Sequence, residues 1–205
     1  SQNTTHHRHM LSHIIAKPIN TVRFIICPVG GGSGGKEDMI YQGMLAIVAM
    51  KTHRPVQLNF TREESIIASA KRHPSRVHYK MGLKWNGEIT GIQFKMISDG
   101  GAYGMWSEGV MSKAAILSCG PYAVDNLSVD TTAVYTNNTP SGAFRTFGGM
   151  QAQFATASMM DMAAEALAMD PYEIRRVNML KIGAPPHTQH TLHAPPPHDA
   201  PDPHQ

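Results

Sequence analysis

Gly30-Gly31-Gly32-Ser33-Gly34-Gly35-Lys36-Glu37 separates two segments of different periodicity. Ahead of it, Val22-Arg23-Phe24-Ile25-Ile26-Cys27-Pro28-Val29 is apolar and leans to β structure. Behind it, Asp38 to about Lys51 carries Met39, Ile40, Met44, Ile47, Val48 and Met50 at helical spacing. Five glycines among residues 30–35 supply backbone that enters φ > 0 easily and lets a ligand touch the main chain. Successive N–H groups at a helix start form an anion-binding concavity, reinforced by the helix dipole. A phosphate-bearing or other anionic cofactor is therefore expected against residues 30–37, with a purely structural glycine turn as the competing reading.

Two nucleotide motifs can be laid over this run. Gly30 to Lys36 satisfies G-x-x-x-x-G-K, but the Ser or Thr that would bind Mg²⁺ is replaced by Glu37, which repels a γ-phosphate. A dinucleotide fingerprint would need an acid at the end of a second strand, and none follows.

The 205 residues allow one large domain, or a domain and a tail, and 41% hydrophobic residues can build a core. A net charge of +3, without a basic stripe interleaved with aromatics, argues against a nucleic-acid partner. No apolar run reaches the ~18 residues of a membrane span. Cys27 and Cys119 are too few for a disulfide scaffold; buried small hydrophobes in a reducing, cytoplasmic compartment are expected.

Along the chain, residues 5–16 read as a helix capped by Thr4 or Thr5, with His6, His7, His9 and His13 on a solvated face. His9 and His13 have metal-ligand spacing, yet no acid precedes Glu37 to support a metal. Residues 55–61 alternate as a strand, and Thr61-Arg62-Glu63-Glu64 has the capping-box pattern. Val77–Leu83 and Ile89–Ile97 flank Asn86-Gly87 and predict a hairpin. Ser107 is expected to cap a helix to about Ser118, and Leu127–Tyr135 to form a strand. A second glycine-rich knot, Ala143-Phe144-Arg145-Thr146-Phe147-Gly148-Gly149, precedes a helix over Gln151–Met169. Asp170 and Pro171 then start a last helix as N-cap and N1, ending near Gly183. Half of the chain's 14 prolines fall beyond residue 183, interleaved with histidines, so residues 184–205 are expected to be a disordered tail. Residues 1–183 are expected to be a partial domain of α+β (mixed) class, a β-hairpin and further strands packed against helices.

Both glycine-rich loops launch helices, and Arg145 offers a planar fork to an anion. Together the two loops resemble the signatures of the xanthine dehydrogenase and aldehyde oxidase family of molybdenum hydroxylases. Residues 29–37 look like its cofactor loop, and residues 143–151 its second signature, usually FRGFGGPQ. Arg54-Pro55-Val56, Thr61-Arg62-Glu63-Glu64, Arg72-His73-Pro74, Gly101-Ala102-Tyr103 and Met169-Asp170-Pro171 fall in the family's order.

The resemblance implies a first molybdopterin-binding segment, with Gly31, Gly32, Ser33 and Gly34 lining a molybdopterin in its simple or cytosine-dinucleotide form. Ser33 stands where most members carry Phe. Ser33 and Arg145 would lie near the molybdenum without ligating it. Glu37 and Phe147 would face the substrate, as would Lys113 where purine-oxidising members carry Arg. The implied reaction is hydroxylation of an N-heterocycle such as a purine with water as oxygen source; an aldehyde or carbon monoxide dehydrogenase type, or a non-catalytic remnant, is the alternative. The family's catalytic glutamate lies in a second half outside this chain, so no catalytic residue is expected here and the chain alone should be inactive. Implied partners are the remainder of the molybdopterin subunit, and [2Fe-2S] and FAD domains or subunits.

Overall fold

The structure is a computed structural model that describes residues 1–181. The proline- and histidine-rich tail expected at 184–205 lies outside the described residues, as does the boundary at 183.

A three-stranded sheet of order β1-β2-β3 organises the C-terminal two thirds. β1 (Ser75–Leu83) and β2 (Ile89–Gly101) form the expected hairpin, antiparallel, with Tyr79 opposite Phe94. Gly87, at φ +85°, carries its turn. β3 (Leu127–Tyr135) runs parallel to β2, with Phe94 opposite Val129. Parallel neighbours need a crossover, supplied here by α4 (Ser107–Ile116).

Alternation along β2 buries Ile92, Phe94, Met96 and Ser98 on one face and exposes Gln93 and Lys95 on the other. The buried face meets α4, α5 (Gly149–Ala166) and α6 (Pro171–Asn178), where Val110, Met160 and Ile174 complete the core. Each such fully buried apolar side chain contributes about 1.5–3 kcal/mol. α6 starts as expected, the Asp170 carboxylate accepting from the N–H groups of Tyr172 and Glu173, and ends earlier than expected, at Asn178.

Asn178 closes this unit. Its Nδ2 donates to the carbonyls of Gly87 and Ile174, both at 2.8 Å, and its Oδ1 accepts from Ile89 N–H at 2.8 Å. Asn178→Ala strands a donor and an acceptor of the hairpin end, so a loss of about 2 kcal/mol is expected in urea unfolding.

The N-terminal third holds α1 (Thr4–Ile14), a 3₁₀ turn at Ile19–Thr21, α2 (Gln42–Thr52) and α3 (Arg62–Ala68). Asn3, not Thr4 or Thr5, caps α1, accepting from His6 N–H. The capping box at Thr61 and Glu64 forms in full. α2 begins at Gln42, four residues later than expected, so the glycine run ends in turns and not at a helix start. The strands expected at 22–29 and 55–61 do not form: both segments are extended but join no sheet. A strand needs a neighbouring ladder, and among the described residues neither segment has one. Ser107 does not cap α4; Trp106 holds that position and the Ser107 hydroxyl is spent on His73, at 2.8 Å. Cys119 is buried as expected, whereas Cys27 is exposed with its unpaired segment. No helix among the described residues is long and apolar enough to cross a membrane.

Candidate functional site

The two glycine-rich loops meet. Gly34 sits at φ +90°, and a Cβ there would overlap the Ala143 carbonyl and lie 2.8 Å from Phe144 N. Only a residue without a side chain lets the backbones approach so closely. Ser33 adopts φ +48°, a left-handed conformation uncommon for a residue with a Cβ. Thr146, Phe147 and Gly148 are also left-handed, at φ 72°, 51° and 95°, and turn the second loop sharply into α5.

Gln2 fastens the first loop. Its Oε1 accepts from Gly34 N–H at 3.1 Å and Lys36 N–H at 3.2 Å, while its own N–H donates to the Lys36 carbonyl at 2.9 Å. Further along, the N–H groups of Gly30, Gly31, Gly32 and Ser33 have no hydrogen-bond partner among the described residues. Nothing lies within 4 Å of where a Cβ would stand at Gly30 or Gly31, so this side of the loop is open.

Arg72 buttresses the second loop. Its guanidinium donates to the Arg145 carbonyl at 2.9 Å and to Gln151 Oε1 at 3.2 Å, and lies 4.6 Å from the Phe144 ring centroid. This leaves the Arg145 side chain exposed, with no acceptor among the described residues. Asp99 holds the approach to the loop, accepting from Gly101 N–H and the Thr136 hydroxyl and from Asn138. Those hydrogen bonds, Thr136 first, hold its carboxyl below the usual range.

Asp38 ties the loops together from inside. It is 5% exposed; its carboxyl lies near the Ala143 N–H and against Gly142, and Oδ2 has no hydrogen-bond partner among the described residues. Burial pushes its pKa up to about 6; the nearby Ala143 N–H opposes this and the neighbouring Glu37 adds to it. His7, expected on a solvated face, is instead fully buried, its Nε2 2.5 Å from the Glu37 carbonyl. That contact assigns the proton to Nε2 and leaves Nδ1 without a donor among the described residues. His9 and His13 stay exposed, their rings 4.6 Å apart and tilted, and no cluster of metal-ligating residues occurs among the described residues.

Glu37 opens onto a cleft of about 480 Å³ lined also by His6, Asp38, Tyr103, Trp106 and Pro140. The Trp106 ring lies 5.0 Å from His6 and 6.2 Å, edge-on, from Phe147, so an aromatic row links the cleft to the second loop. Lys113 is exposed on α4 and does not line this cleft; it sits one turn beyond Gly109, where Phe147 packs. A larger cleft of about 660 Å³ lies between α4 and β3, but neither glycine loop reaches it.

Residues 1–179 match the sequence profile of the molybdopterin cofactor-binding domain. The chain belongs to that family. It is 40% identical, over 90% of its length, to the nicotinate dehydrogenase large molybdopterin subunit of Eubacterium barkeri, covering 43% of that protein. It is 35% identical, over 85% of its length, to a probable xanthine dehydrogenase subunit of Bacillus subtilis, covering 23% of it. The aldehyde oxidoreductase of Desulfovibrio gigas superposes on 91% of the chain and 20% of its own, with a TM-score of 0.87 at 27% identity. The chain thus spans under half the length of each relative. A molybdopterin carries anionic phosphate; the N–H groups of Gly30–Ser33 and the Arg145 guanidinium, without acceptors among the described residues, are donors of the kind such a group takes.

Gln2, Arg72, Asp38 and His7 were not picked out as site residues by sequence reasoning. Only Arg72 carried a signal, its place in Arg72-His73-Pro74; the others act through contacts 30 or more residues away.

Proposed function

We propose that this chain is the cofactor-binding part of a molybdenum hydroxylase that oxidises N-heterocycles such as purines, with water as the oxygen source. The seating of Gly34 on the Ala143–Phe144 backbone carries the reading, because it makes one site of two loops 110 residues apart. The bound cofactor would supply two-electron oxidation chemistry, and its electrons would leave through [2Fe-2S] and FAD partner domains or subunits. Gly31, Gly32, Ser33 and Gly34 would line it, with Gln2 keeping the loop in shape. Arg145 would favour its anionic end.

Glu37 would accept an N–H of the heterocycle, Phe147 would pack on its ring, and Lys113 would stand at the rim. The names of the nicotinate and xanthine dehydrogenase relatives, together with a carboxylate beside an aromatic row, support a heterocycle. The likeness to an aldehyde oxidoreductase favours an aldehyde as the second reading. The catalytic glutamate that the family resemblance implies would come from the remainder of the subunit, so the chain alone would be inactive. Two unpaired thiols, Cys27 and Cys119, suit the cytoplasm.

The test is molybdenum and pterin content of the assembly purified after co-expression with the rest of its subunit. Stoichiometric molybdenum is expected, falling several-fold in Arg145→Ala. A well-formed assembly without molybdenum would overturn the reading and leave a non-catalytic remnant.

A further inference from the structure

Between α1 and α3 the chain alternates extended backbone and helix: residues 22–29, then α2, then residues 55–60. Val56, Leu58 and Phe60 keep the period of a strand, and Val22, Phe24 and Ile26 do the same in the first segment. Yet no main-chain N–H of Arg23–Val29 or Val56–Phe60 finds an acceptor among the described residues. Ile25 is 70% exposed and Leu58 41%. The helix that joins the two segments is in the same condition, with Met44, Ile47, Val48 and Met50 all exposed. Rows of unpaired main-chain groups joined by an uncovered apolar helix are features that folded proteins normally pair or cover. Extended segments linked by a single helix are laid out for parallel pairing in one sheet.

We propose that these two segments form a docking edge for a β-strand of the molybdopterin subunit that lies outside residues 1–205. The added strand bonds to the main chain of Arg23–Val29 and Val56–Phe60, and the structure that follows it covers α2. The chemistry is that of strand addition: main-chain hydrogen bonds supply affinity, and alternate apolar side chains supply register. The length available for this is large, because the chain spans 43% and 23% of the two relatives it matches. Docking also orders the site, since residues 22–29 lead directly into the Gly30–Glu37 loop. The proposal rests on the reading that this chain works inside a larger molybdopterin-binding subunit.

Amide hydrogen exchange tests it, measured on the 205-residue chain alone and on the co-expressed assembly. Amides of 23–29 and 56–60 are expected to exchange fast in the chain alone and at least about 100-fold slower in the assembly. Those of residues 92–98 in β2, paired in both, should change little. Ile25→Pro and Leu58→Pro remove a donor at the edge and should each weaken assembly at least about tenfold while β2 stays protected. An assembly that leaves both segments fast-exchanging would overturn the proposal. So would slow exchange in the isolated monomer, or protection that appears only as the chain doubles in mass, which would assign the edge to a second copy. Molybdenum is read on the same sample: protected segments without molybdenum uphold the docking edge and sink the cofactor reading alone.

Discussion

Gly34→Ala is expected to destabilise the chain by about 2–5 kcal/mol and to empty the assembly of molybdenum. Two costs add. Holding a residue with a Cβ at φ +90° costs about 1–2 kcal/mol, and forcing that Cβ against the Ala143 carbonyl and Phe144 N costs about 1–3 kcal/mol more. Neighbouring glycines separate the two costs. Gly31 has φ +107° but open space around it, so Gly31→Ala should show the backbone cost alone. At Gly30 φ lies outside the strained range and nothing is within 4 Å, so Gly30→Ala should be near neutral in stability. Urea unfolding of the three variants gives the order directly, and equal losses at positions 30 and 34 would remove the contact between loops from the account. Molybdenum content supplies the second axis. Gly34→Ala should lose it together with stability, whereas Gly30→Ala should keep stability whatever it does to binding.

What was legible in the sequence was what neighbours in the chain determine. The hairpin around Asn86-Gly87 needs only two alternating runs and a turn, and it forms as expected. The caps at Thr61 and Asp170 likewise depend on residues two or three positions away. The segments 22–29 and 55–61 have the same local pattern as β1 but no neighbour to pair with among the described residues, and periodicity carries no information about that. Ser107 failed as a cap for a related reason: a residue 34 positions earlier, His73, takes its hydroxyl. The site divides in the same way. The glycine strings and Arg145 are visible because unusual backbone demands unusual composition. Gln2 and His7 are ordinary residues made important by where α1 packs, and a run of histidines gives no sign that one of them is buried. Asp38 follows Glu37 as one more acid, yet it is the one acid buried among the described residues.

Asp38 therefore yields the second large effect, a dependence on pH with a definite sign. Its folded pKa of about 6 lies above the unfolded value of 3.8, so the folded state binds the extra proton between those values. A raised folded pKa contributes stability that is fully present below about pH 4 and is lost as pH rises through about 6. The two-unit gap sets a ceiling near 3 kcal/mol at pH 8, where the buried carboxylate is charged beside Glu37. Asp38→Asn keeps an oxygen beside the Ala143 N–H and removes the charge. It should stabilise the chain at pH 8 by about 1–3 kcal/mol, the lower figure reflecting an amide N–H₂ placed where Oδ2 already lacks a partner. At pH 4.5 the advantage should vanish or reverse. Burial depresses the His73 pKa, which acts with the opposite sign: folding weakens as pH falls below the unfolded value. It does so in both proteins, so the difference between them isolates Asp38. Parallel urea curves for the two at pH 4.5 and 8 measure that difference, and a pH-independent offset would mean that Asp38 is not the group that titrates between the loops.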